Sequence, residues 1–169
     1  KVVIIGKRSS QGRAYVGTVS GTSISFGSEV IFAAFDLVST SATYDSTNGK
    51  VVLAYATAAG SNRGRAIVGT VSGTSISFGS EVVFDSNTVD FTSTVYDSNS
   101  GKVVIAYKDA GNSDYGTAIV GTVSGTSISF GSEVVFNSGS TEYTSCAYDS
   151  TSGKVVIAYR DTDSSKGTA

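Results

Sequence analysis

The chain has 169 residues, with 12 basic and 14 acidic side chains, one Cys, and no His, Pro, Met or Trp. A net charge of −2 makes no electrostatic case for nucleic acid or an anionic membrane. One Cys excludes an internal disulfide framework and a Cys-based zinc cage, and no apolar run nears the ~20 residues of a membrane helix.

The chain opens without Met on the strand-like run Lys1 to Ile5, which reads as a processed or excerpted piece. The stretch VGTVSGTSISFGSEV runs from Val16 to Val30 and returns unchanged from Val68 to Val82 and from Val120 to Val134. The run YDSTNGKVVLAY from Tyr44 likewise returns, nearly unchanged, from Tyr96 and from Tyr148. Both recurrences have a period of 52, the size of a stacked supersecondary unit. Four strand-like runs fill each period. In the middle copy they are A (Ser93 to Asp97), B (Lys102 to Tyr107), C (Thr117 to Val123) and D (Ser127 to Phe136). Val, Ile, Thr, Tyr and Phe dominate them, with no helical spacing of apolar residues. A–B and C–D are joined by short connections containing Gly, as hairpins require. The B–C and D–A connections are longer and polar.

Side-chain alternation fixes how such units are covered. Val103, Ile105 and Tyr107 face one side of strand B, and Val104 and Ala106 face the other. Strand C also carries apolar residues on both faces (Ala118, Ile119, Val120, Val123). A sheet apolar on both sides must be covered on both sides. Ser127-Ile128-Ser129-Phe130 alternates strictly, which suits an outermost strand with one wet face. The expected fold is all-β, a β-propeller of four-stranded antiparallel blades of about 52 residues each. The expected units are a partial blade (B-C-D) at 1–38, blades at 39–90 and 91–142, and a partial blade (A-B and the start of C) at 143–169. A ring of 4–8 blades, roughly the usual number, does not close from this chain alone. Further repeats of the same chain, or self-association, would complete it, and the surplus B strand favours the longer array.

The four-strand unit of roughly 50 residues resembles the blades of kelch-like and sialidase-like propellers. The hairpin Ala147-Tyr148-Asp149-Ser150-Thr151-Ser152-Gly153-Lys154-Val155-Val156 is similar to that of quinoprotein-type propeller repeats. The Trp of those repeats is absent, as are the double Gly of kelch and the Asp box of sialidases. The resemblance therefore implies an architecture and no cofactor or catalytic residue. Uniform Ser/Thr/Gly-rich repeats of this kind are also similar to those of secreted microbial surface proteins and phage tail fibres.

Divergence among the copies is confined to the B–C and D–A connections, which a meander puts on one rim. The rim carries Phe35, Asp36, Arg63, Arg65, Asp90, Phe91, Asp114, Tyr115, Glu142 and Tyr143, a mixture of aromatics and charges suited to stacking on and hydrogen-bonding a sugar. Drift of lightly constrained loops is the competing reading. The recurrent Asp45, Asp97 and Asp149 are expected to cap their turns. Asp161 with Asp163, and Asp109 with Asp114, are weighed as loose Ca²⁺ ligands and read as solvated acids. Glu29, Glu81 and Glu133 read as edge protection, Cys146 as a small buried residue, and Tyr55, Tyr107 and Tyr159 as core with hydroxyls reaching a loop. No metal site and no cofactor is expected.

Without His the usual general base is missing, and the recurrent acids sit in equivalent places that do not converge. The expectation is a non-enzymatic binding or adhesion scaffold, extracellular or on a cell or virion surface. Its partners would be copies of itself and glycans, with no nucleic acid and no membrane insertion. The alternatives are a purely structural fibre component and, last, a fragment of a glycoside-acting enzyme.

Overall fold

Short β-rich runs punctuated by Gly turns fold as antiparallel meanders in the computed structural model, which describes residues 1–58, 62–164 and 166–169. The first module comprises β1 (Val2–Arg8), β2 (Gln11–Ser20), β3 (Ser23–Phe26) and β4 (Val30–Ala33). The second has β5 (Leu37–Asp45), β6 (Lys50–Thr57), β7 (Arg63–Ser72) and β8 (Ser75–Phe78), and passes into β9 (Val82–Asp97). The third has β10 (Lys102–Asp109), β11 (Tyr115–Ser124), β12 (Ser127–Phe130) and β13 (Val134–Asp149), followed by β14 (Lys154–Asp161) and β15 (Lys166–Thr168). No α-helix occurs among the described residues, and every strand pair is antiparallel. The hairpins use Gly where the chain must turn left-handed, as at Gly101 (φ +68°) and Gly125 (φ +61°).

The D run is not one strand, as the sequence suggested. It breaks at Gly-Ser-Glu, and its two halves pair with the two ends of one C strand: Phe26 opposite Gly17, then Val30 opposite Ala14. At the first two breaks the next module packs closely against the glycine. A Cβ at Gly27 would lie 1.9 Å from the Thr74 carbonyl oxygen, and one at Gly79 the same distance from that of Thr126.

The D–A connections also differ from the polar loops expected. In β9 and β13 the chain runs on as one 16-residue strand. Val82 to Thr88 pair with β7 and Val89 to Asp97 with β10, so one strand serves two neighbouring meanders. Backbone pairing on alternate sides holds this polar stretch extended without an apolar signal. The result is a four-stranded sheet (β1–β4) and an eleven-stranded sheet that takes in β5 to β15. Neither sheet closes on itself.

Stacking of the modules makes the core. On β6, Val51, Leu53 and Tyr55 join Val16 and Phe32 of the preceding module. Val52, Ala54 and Ala56, on its other face, join Val103 and Ile105 of the following one. One aromatic contact repeats at each junction: Phe32 with Tyr55 (5.3 Å between centroids), Phe84 with Tyr107 (5.2 Å) and Phe136 with Tyr159 (5.1 Å). The A segments meet through small polar side chains. Ser39 Oγ lies 3.1 Å from Thr92 Oγ1, and the Cys146 amide donates to Ser93 Oγ at 2.9 Å. This explains why Ser and Thr crowd the A runs.

Candidate functional site

Two left-handed residues build the centre of the divergent rim. Phe91 (φ +51°) and Tyr143 (φ +52°) occupy bulges in β9 and β13. Such backbone costs on the order of 1–3 kcal/mol for a bulky residue. It turns the two rings onto each other, 5.0 Å between centroids at an interplanar angle of 53°. Tyr143 stays 64% exposed, so the pair offers an open aromatic face. Charges flank it. Lys108 Nζ lies 3.1 Å from Asp114 Oδ1, and Asp90 is its register partner across the β9–β10 pair. Burial pushes the Asp90 carboxyl up, Lys108 pulls it down, and Asp114 adds to the rise. Arg160 Nη1 donates to Glu142 Oε2 at 3.0 Å, and the Thr141 amide donates to the Asp114 carbonyl at 2.9 Å, tying the two connections together.

The remaining rim residues do not join this cluster. Phe35, exposed, and Asp36, paired with Lys7 at 2.6 Å, sit between β4 and β5. Arg63 is exposed at the start of β7, and Tyr115 is half-buried at the start of β11. Arg65 is turned inward onto Glu81 and is not available at the rim. Residues 59–61 of the B–C connection of the second module, and residue 165 of the last one, lie outside the described residues.

No protein-family model, no curated protein and no solved structure matches this chain. The candidate sites therefore stand on their own geometry.

The recurrent acids divide by environment. Asp45 Oδ1 accepts from the Thr47 and Asn48 amides at 3.0 Å each, and Asp97 and Asp149 cap their turns likewise. Hydrogen bonds, from Ser100 to Asp97 and from Ser152 to Asp149 above all, hold these two carboxyls below the ordinary range. Asp161 caps a turn through the Asp163 and Ser164 amides. Burial raises the Cys146 thiol, as expected of a half-buried side chain with no base beside it.

Glu29 is half-buried, and Glu81 and Glu133 are exposed. All three occupy the Gly-Ser-Glu break, and each has charged neighbours there. Glu29 pairs with Arg13, and Glu81 pairs with Arg65 and accepts from the Tyr55 hydroxyl at 2.7 Å. Glu133 has Asp85 and Asp109 as neighbours, one carboxylate oxygen of each lying within 4.8 Å of the others. Burial, then the neighbouring Asp85, push both Asp109 and Glu133 upward. Asp109 therefore converges with Asp85 and Glu133, whereas Asp114 turns to Lys108. The sequence reading missed this group because its members are 24 residues apart and belong to two modules.

Proposed function

We propose that the chain is an arc of propeller-like blades that acts as a non-enzymatic, extracellular binding or adhesion scaffold. Its recognition surface is the rim around Phe91 and Tyr143, and its ligand class is carbohydrate. The observation that carries this reading is the exposed aromatic pair, held on two rigid strands and flanked by Asp90, Asp114 and Glu142. Aromatic faces cover the apolar face of a sugar ring while carboxylates accept its hydroxyls, and recognition commonly sits on connections carried by a rigid scaffold. The test is a glycan array probed with the wild-type chain and with Phe91→Ala and Tyr143→Ala. Binding that vanishes in both variants supports the reading, and binding that survives both refutes it.

The faces at the two ends of the stack support assembly with further blades. Ile24 is 44% exposed where its counterparts Ile76 and Ile128 are 3% exposed. A cleft of about 570 Å³ lined by Lys1, Val3, Ala42, Thr43, Tyr44 and Val51 lies beside β1, an edge strand paired only on its β2 side. An A-type strand pairs with the corresponding edge of β10 and packs against β5. We infer that this seat receives the same kind of strand, from another module of the same repeat. A purely structural role, in which this assembly is the function, is the second reading. It gains if purified chains form rings or filaments and bind no glycan.

A further inference from the structure

We propose that Asp85, Asp109 and Glu133, at the junction of the second and third modules, form a binding site for a divalent cation, with Ca²⁺ as the natural occupant. Three columns of the repeat change together here. The Glu of the Gly-Ser-Glu break meets an Arg in the first two modules, Arg13 with Glu29 and Arg65 with Glu81. The equivalent position in the third module is Thr117, so Glu133 has lost its guanidinium. In its place it gains Asp85, whose counterparts are Ala33 and Asn137, and Asp109, whose counterpart in the second module is Thr57. A neutral ion pair has become a group of three carboxylates.

Polar atoms around the group are left without partners. Asp85 is 3% exposed; its Oδ1 accepts from the Asn87 amide at 2.7 Å, and its Oδ2 is buried with no hydrogen bond. Tyr107 is fully buried, its hydroxyl faces Glu133 and makes no hydrogen bond of ordinary geometry, and Thr117 Oγ1, opposite it in the β10–β11 register, is also unpaired. Unpaired buried oxygens are costly unless something donates to them or coordinates them. The Gly111 and Asn112 amides fix Asp109 by donating to its Oδ1 at 2.9 and 3.1 Å. The neighbouring cation, Lys108, is engaged with Asp114 on the rim.

The chemistry is that of a hard cation. Ca²⁺ takes about 6–8 oxygen ligands at roughly 2.4 Å, so ligands on opposite sides lie some 4.8 Å apart. One carboxylate oxygen from each of the three residues falls within that span. Tyr107 and Thr117 supply neutral oxygens, and Glu133, on the exposed side, leaves an entry path and room for water. The cation thus does at this junction what Arg13 and Arg65 do at the corresponding places.

The test is calorimetric titration of the chelator-treated 169-residue chain with CaCl₂, alongside thermal unfolding and Tb³⁺ luminescence excited through tyrosine. One site per chain, with half-saturation below about 1 mM, and a raised Tm are expected. Asp85→Asn, which installs the residue found at 137, and Thr117→Arg, which installs the residue found at 13 and 65, should each weaken Ca²⁺ at least about tenfold. Thr117→Arg should also raise the Tm of the cation-free chain, a gain that a merely disruptive change would not give. Circular dichroism checks that both variants fold. Absence of Ca²⁺ binding by the folded wild type, or equal affinity in wild type and both folded variants, overturns the proposal.

Discussion

Strands β6 and β14 are nearly the same peptide, Lys-Val-Val-Leu-Ala-Tyr-Ala-Thr against Lys-Val-Val-Ile-Ala-Tyr-Arg-Asp, yet they live in different surroundings. In β6 every residue after Lys50 is buried; in β14 exposed and half-buried positions alternate from end to end. Val52 is inaccessible, and its counterpart Val156 is 45% exposed. The opposite end shows the mirror effect: Ile4 is 44% exposed where Leu53 and Ile105 are fully buried, and Tyr44 is 59% exposed where Tyr96 is 7% exposed. Burial here is conferred by the neighbour and not by the strand's own sequence. Each Val, Leu or Ile so covered contributes about 1.5–3 kcal/mol, which is how modules too thin to hold a core of their own hold one between them.

The largest way to break this contrast is a charge. Val52→Asp should unfold the chain, since an unpaired carboxylate between two modules costs several kcal/mol, roughly the whole stability of a small domain. Val156→Asp should cost less than about 1 kcal/mol in a single copy, in line with exposed sites. Urea denaturation of both variants makes the comparison. Equal losses would mean that burial at Val52 is not what holds the stack together.

A cavity tests it more gently. Ile76→Ala should lose about 2–5 kcal/mol and Ile24→Ala well under half of that, read from denaturation midpoints. Close approach of backbones is the third test. A Cβ at Gly79 would meet the Thr126 carbonyl oxygen, whereas at Gly131 the nearest heavy atom, the Val120 carbonyl oxygen, is 3.8 Å away. Gly79→Ala should therefore destabilise by about 1–3 kcal/mol as the modules shift apart, and Gly131→Ala should be neutral, both measured as changes in Tm.

The smallest expected effect lies in the turns. Asp97 and Asp149 have carboxyls lowered from the ordinary 3.8 by hydrogen bonds that exist only in the folded turn. A lowered folded value means that their contribution is complete above that ordinary value and fades as pH falls through the folded one. Asp97→Asn should flatten the acid limb of a stability-versus-pH curve slightly, below pH 4 and nowhere else.

Much of this was legible in the sequence because it is local or periodic. The 52-residue recurrence, the hairpins at Gly101 and Gly125, the two faces of Val103 to Tyr107 and the capping role of Asp45 all follow from spacing and turn chemistry. The continuity of β9 was not legible: Asp85-Ser86-Asn87-Thr88 carries no strand pattern and is held extended by pairing with β7 before the strand passes on to β10. The charged partners of Glu29, Glu81 and Glu133 were hidden because they lie on other strands, 16 or more residues away in the chain. A signal did exist. Aligning the copies column by column shows Arg13 and Arg65 giving way to Thr117 while the Glu stays, and a charge that loses its partner marks a place to look. Aromatic placement at the rim was only half readable, because Phe35 and Phe91 fall in different columns of the repeat.

The most direct test of mutual coverage is the sedimentation of the 169-residue chain over a range of concentrations, with Ile24→Asp and Val156→Asp as controls. Exposed end faces that match the internal ones should associate, giving species larger than one chain that either substitution returns to monomer. A wild-type chain that stays monomeric at the highest attainable concentration would contradict the claim that the exposed end faces seek the same cover as the internal ones.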